Sequence, residues 1–157
     1  MDGVPVMATA TEMRETCGQA FAGEKAVGMA QEERSGRCLC GAVRFRAFGA
    51  HNWIVHCHCE SCRRATSAAF ATYVGYPSGA VTWTAEIPRL YHSSPGVTRS
   101  FCPHCGSPMS FAGERWPGEI HLFAASFDEP ASLVPNEHVY VEEQLPWVHL
   151  NDGLPRK

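Results

Sequence analysis

The chain has 157 residues, 45% hydrophobic and 18% charged, a mix that suits one domain with a real core. A formal charge of −3 and a pI of about 6.2 give no electrostatic reason to bind nucleic acid or an anionic membrane. No apolar run is long enough to span a bilayer, and the N-terminus lacks the apolar core of a signal peptide.

Residues 1–33 read as a flexible or weakly helical extension, mildly acidic and without hydrophobic period, and residues 34–157 as the folded domain. Met29 is a candidate start beside Met1. The domain reads as short strands separated by turns. In Ala42–Phe48, Val43, Phe45 and Ala47 face one way and Arg44 and Arg46 the other. A helical turn is expected over Cys62–Ala69. Strands are predicted at Phe70–Tyr76, Ala80–Thr84, Arg89–His92, Val97–Phe101, Met109–Phe111, Ile120–Ala125 and His138–Val141, on β-branched and aromatic content. Prolines such as Pro77, Pro88, Pro95 and Pro117 punctuate these runs. The fold class is mainly β, built of small sheets that metal ions would staple.

The chain holds eight cysteines, and with no secretory leader read, the expected location is the reducing cytosol. There, clustered thiols point to metal binding or catalysis rather than disulfides. Seven fall in three clusters: Cys38 and Cys40; Cys57, Cys59 and Cys62; Cys102 and Cys105. Residues two apart in a strand share a face, so Cys38 and Cys40 can converge on one ion. Cys102-Pro103-His104-Cys105-Gly106 has the form of a zinc knuckle. The two pairs supply four thiolates, a closed tetrahedral site. Cys57, Cys59 and Cys62 leave a fourth position free, the arrangement of catalytic zinc. Three thiolates on Zn²⁺ make a weak Lewis acid, better suited to holding an added thiol as thiolate than to activating water. The expected chemistry is thiol addition to a carbonyl, or its reverse. Alternatively a neighbouring histidine closes this site too. Cys17 stands alone and is expected to bind nothing.

Three stretches, Gly36–Phe45, His56–Ala65 and Phe101–Met109, with Ala125–Pro135, His138–Val141 and Pro146–Pro155, resemble the glutathione-dependent formaldehyde-activating (Gfa) enzyme family, or CENP-V/GFA domain. The likeness spans residues 34–155. It implies an Mss4-like fold of several small antiparallel sheets and two Zn²⁺ per chain. The structural zinc would sit on Cys38, Cys40, Cys102 and Cys105, and the catalytic one on Cys57, Cys59 and Cys62. The implied reaction joins formaldehyde to glutathione as S-(hydroxymethyl)glutathione, a carbon–sulfur lyase reaction run backwards.

Arg63 and Arg64 follow the trio and either bind substrate carboxylates or pair with Glu60. His56, His58 and His104 flank ligands, as proton relays or as supporting and surface groups. Phe70, Tyr73 and Trp83 are core or pocket residues, and Trp147 is read as core. The competing functions are a zinc-stapled structural or interaction module and a thiolate metal or redox sensor. The acidic extension argues against the first, since a basic one would suit it.

Overall fold

The structure, a computed structural model, describes residues 32–157. The extension expected at 1–33 and Cys17 therefore lie outside the described residues, apart from Glu32 and Glu33. These two belong to the domain: Glu33 opens the first strand, and the Glu32 carbonyl accepts from the Gly49 amide at 2.7 Å.

The described residues contain ten strands, one short α-helix and four single-turn 3-10 helices. Strands β1 (Glu33–Arg37), β2 (Arg44–Phe48) and β5 (Val81–Trp83) form a three-stranded antiparallel sheet in the order β1-β2-β5. Its inner face carries the alternation expected of β2: Val43, Phe45 and Ala47 are buried, Arg44 and Arg46 exposed. The other strands are β3 (Trp53–Cys57), β4 (Ala71–Pro77), β6 (Arg89–Ser94), β7 (Val97–Phe101), β8 (Pro108–Gly113), β9 (Glu119–Phe123) and β10 (Glu137–Val139). They form a seven-stranded sheet in the order β10-β3-β4-β9-β8-β7-β6. Only the β10–β3 pairing is parallel. Helix α1 (Glu60–Thr66) lies between β3 and β4.

β4 is near the centre of the large sheet and packs on both faces. Val74 and Tyr76 enter one apolar cluster, with Phe45, Ile54, Met109 and Leu122. Ala71 and Tyr73, on the opposite face, enter a second with Phe111 and Phe123. Each cluster contains cysteines: Cys38 and Cys102 in the first, Cys57 and Cys62 in the second. Burial of this order contributes about 1.5–3 kcal/mol per large apolar side chain. Trp147, expected in the core, is 66% exposed; its neighbour Val148 takes the buried position instead. Among the described residues no helix is long and apolar enough to cross a membrane.

Candidate metal centres and the adjoining cavity

The first cluster is gathered by two turns. Cys38 and Cys40 do not lie in a strand, as their alternation suggested, but in the tight turn after β1, closed by Gly41 N–H to the Cys38 carbonyl at 3.1 Å. Leu39 is thrown outward, 83% exposed. The Val43 amide donates to Cys38 Sγ at 3.3 Å. Cys102 follows β7, and the chain turns back through Gly106, whose φ of +73° favours glycine. Its amide donates to the Cys102 carbonyl at 3.0 Å. The four sulfurs lie within 4.8 Å of one another, with Cys38–Cys40 at 3.5 Å and Cys40–Cys102 at 3.7 Å. A tetrahedral ion with metal–sulfur bonds of about 2.3 Å sets its sulfurs ~3.8 Å apart. The residues present therefore fit such an ion. Ser107, through its hydroxyl and then its amide, holds the Cys105 thiol down at about 5, favouring the thiolate.

The second cluster is built at a strand–helix junction. Cys57 ends β3, Cys59 caps α1, and Cys62 sits in its first turn. The cap is unusual in using sulfur: Cys59 Sγ accepts from the Cys62 amide at 3.3 Å. The three sulfurs again lie within 4.8 Å of one another. Cys62 is drawn down to about 2, by the thiols of Cys57 and Cys59 donating to it and then by the Tyr73 hydroxyl and the Arg99 charge. Cys57 is pushed up as the donor, first to Cys59 and then to Cys62. Tyr73 Oη donates to Cys62 Sγ at 3.6 Å.

No histidine closes this ring. His58 is fully buried, but its Nε2 lies 2.9 Å from His138 Nδ1, and His138 Nε2 lies 2.9 Å from Asp152 Oδ2. This Asp152–His138–His58 chain braces β10 against the segment that carries the trio. Burial, followed by the charges of His138 and Arg156, lowers His58 to about 4. His56 bonds Thr72 at 2.8 Å and His104 meets Glu86 at 2.6 Å. Sequence reasoning missed His138 and Asp152, because residues 58, 138 and 152 meet only through the parallel β10–β3 pairing.

Beside the trio opens a cavity of about 750 Å³, within the size range of small-molecule sites. Cys59 and Cys62 lie in its wall with Ser61, Tyr73 and Arg99. Of the aromatic residues singled out in the sequence, only Tyr73 lines it; Phe70 packs on His56, and Trp83 on Phe45. Neither Arg63 nor Arg64 reaches the cavity wall. Arg63 Nε donates to the His58 carbonyl at 3.0 Å, and Arg64 pairs with Glu60 one helical turn back at 2.7 Å. The arginines that line it are Arg99 and Arg115. Arg99 bridges the site: Nη2 donates to Ser61 Oγ at 2.9 Å and Nη1 to Tyr73 Oη at 3.5 Å. It comes from β7, almost forty residues from the trio, and no local sequence signal marks it.

This geometry can be set beside known proteins. The family model described as glutathione-dependent formaldehyde-activating enzyme matches residues 33–143. The chain belongs to this family. A candidate glutathione-dependent formaldehyde-activating enzyme of Halomonas elongata is 33% identical over 125 residues, covering 73% of this chain and 79% of that protein. An uncharacterized lyase of Schizosaccharomyces pombe is 32% identical over 80 residues, covering 51% of this chain and 58% of the relative. The crystal structure of a Rhodobacter sphaeroides protein, 20% identical, superposes with a TM-score of 0.51 over 78% of this chain and 99% of the other, a likeness of fold. The Gfa match spans all seven clustered cysteines and Arg99.

Proposed function

We propose that the chain is a zinc-dependent carbon–sulfur lyase that adds a thiol to an aldehyde and reverses the addition. Glutathione is the thiol and formaldehyde or a related aldehyde the carbonyl, the pair printed in the family's name. The observation that carries this reading is the placement of three convergent thiols, with no fourth protein ligand among the described residues, in the wall of a cavity. A module whose metals only hold the fold has no use for such an opening.

In this reading Cys38, Cys40, Cys102 and Cys105 hold a structural Zn²⁺, and Cys57, Cys59 and Cys62 hold a second. The second ion supplies the positive charge that keeps an incoming thiol deprotonated. The chain's residues do the rest. Tyr73 and the Cys62 amide fix the orientation of the ligand sulfurs. Arg99, anchored on Ser61 inside α1, presents a guanidinium to a substrate carboxylate beside the reacting sulfur. Arg63 and Arg64 remain supports of α1 and its flanking segment. The free thiols suit a reducing compartment such as the cytosol.

Cobalt substitution tests the proposal. Adding glutathione should change the ligand-field and thiolate charge-transfer bands and release a proton, because a thiol of pKa about 8.5 enters as thiolate. Arg99→Ala should raise the KM for glutathione about tenfold, the loss of a charge-assisted contact, with a much smaller effect on 2-mercaptoethanol. Spectra unchanged by saturating glutathione, cysteine and 2-mercaptoethanol would remove the thiol-activation reading.

A further inference from the structure

The cavity wall has a directional order set by strand register. Across the seven-stranded sheet, Trp53 pairs with Gly75, Gly75 with His121, His121 with Phe111, and Phe111 with Arg99. Cross-strand partners share a face, so these five positions form one row from β3 to β7. All but Gly75 line the cavity. Gly75 is the vacancy that makes the row work. A Cβ there would stand 2.3 Å from Cε2 of Trp53, whose indole lies flat over the glycine. The indole thereby reaches His121, at 4.5 Å between centroids. His121 stacks on Phe111 at 5.2 Å and 27°, while Trp53 and Trp116 meet His121 edge-on, at 78° and 68°, Trp116 from 5.4 Å; the two tryptophans are half-buried, whereas His121 and Phe111 are 5% and 9% exposed. Burial lowers the pKa of His121 and keeps its ring neutral, against the pull of Glu119. The row ends in charge: the Arg99 guanidinium carbon lies 5.1 Å from the Phe111 centroid and beside the trio.

Formaldehyde has no surface to offer four neutral rings, and glutathione is polar along its length. The aromatic surface open to the cavity is that of two half-buried tryptophans over a buried His121–Phe111 pair, and it is matched by an apolar ring through edge-to-face contact and area burial. We propose that the carbonyl substrate is an aryl-substituted aldehyde, whose ring packs against Trp53 and Trp116 in the cavity wall while the thiol's carboxylate meets Arg99. The proposal rests on the lyase reading above and names the substrate class for the same site. In the reaction the thiolate sulfur gives an electron pair to the carbonyl carbon. The C–S bond forms as the C=O π bond opens, and the oxygen takes a proton from solvent. The thiol's proton has gone to solvent on binding, so thiol plus aldehyde equals hemithioacetal, with no other reactant.

Two measurements on the full chain, purified without chelator, test this. The first is calorimetric binding of S-benzylglutathione and S-methylglutathione, unreactive mimics of an aryl adduct and of the formaldehyde adduct. The benzyl thioether should bind at least tenfold tighter. Trp116→Ala, in the turn between β8 and β9, should bring that ratio toward one, and Trp116→Phe should restore it. Equal affinities, or a ratio that Trp116→Ala leaves unchanged, would overturn the aryl assignment. The second is exchange NMR of glutathione with formaldehyde and with phenylacetaldehyde. Faster catalysed exchange with phenylacetaldehyde supports the proposal. Catalysis that favours formaldehyde overturns it and leaves the lyase reading standing. No catalysed exchange with either aldehyde would overturn the lyase reading itself, and the aldehyde assignment with it.

Discussion

Two cysteines show how burial decides the consequence of losing one ligand. Cys102 is fully buried in the larger apolar cluster and ties the end of β7 to the turn after β1. Cys102→Ser places an unpartnered hydroxyl in that core and removes one of four thiols whose proposed ion would crosslink distant turns; misfolding, seen as lost circular dichroism and aggregation on gel filtration, is expected. Cys59 is half-buried at a cavity wall, and a metal on the trio would tie one strand end to the helix next to it. Cys59→Ser should keep the fold and lose one metal per chain together with thiol-dependent spectral change. Equal collapse of both variants would make both centres structural. His121 gives the pH dependence of the same region. Its pKa is lowered by burial, so the folded chain keeps it neutral at pH values where the unfolded chain, near pKa 6.5, takes a proton. Its contribution is complete above about pH 6.5 and is lost as pH falls below that value. Urea midpoints of the wild type should therefore drop from pH 7.5 to pH 5 more steeply than those of His121→Gln. The difference between the two proteins cancels the acid lability of the thiolates they share. Of the site, the seven clustered cysteines were legible because ligand spacing is local. Arg99, Trp53, Phe111 and His121 were not, since a cross-strand row exists only once register is set.

At the scale of elements, β7 occurs at its expected residues, and β2, β4, β5, β6, β8, β9 and β10 occur within a few residues of expectation. Their alternation and β-branched content are intrinsic to each segment. β1 and β3 were missed for an equally physical reason. β1, Glu33-Arg34-Ser35-Gly36-Arg37, is polar and has no hydrophobic period; it is a strand because β2 pairs along its whole length. β3 runs into the first cysteine of the trio, and its strand identity comes from pairing with β4 along all five of its residues. Gly36 shows what β1 contributes. It bridges to Phe127, and a Cβ there would stand 2.2 Å from Phe45 Cζ and 2.5 Å from the Ser126 carbonyl oxygen. Phe45 itself packs edge-on against Phe127 at 4.9 Å. The small sheet can thus approach the rest of the domain only where no side chain intervenes. Gly36→Ala should cost about 1–3 kcal/mol by overpacking. Because one of the clashing atoms is backbone, rotamer change cannot relieve it fully. A fall in melting temperature of several degrees is expected, with no change in metal content. An unchanged melting curve would show that the two sheets separate easily there.

The whole molecule combines one candidate metal centre that would link distant turns with one that would tie a strand to its adjacent helix, and the difference sets the order in which metal could be removed. The closed cluster joins the turn after β1 to the turn after β7, about sixty residues apart, across the interface between the two sheets. Its four sulfurs leave no position for a chelator to attack without displacing protein. The trio spans six residues of continuous chain, and two of its sulfurs line an open cavity. A chelator can bind the fourth position first and withdraw the ion stepwise. Protein purified without chelator should accordingly carry close to two zinc ions per chain. Titration with a chromogenic chelator should release one equivalent fast, with circular dichroism and melting temperature almost unchanged. The second should leave slowly, together with loss of structure, because ion binding at a closed thiolate site is itself folding free energy, on the order of 10 kcal/mol in small zinc domains. Glutathione present during the titration should slow only the fast phase, since it occupies the position through which the chelator enters. A chain beginning at Met29 should give the same two phases, because both clusters and all ten strands lie beyond that residue. Release of both equivalents in a single phase that coincides with unfolding would mean that the trio, like the closed cluster, is a staple of the fold.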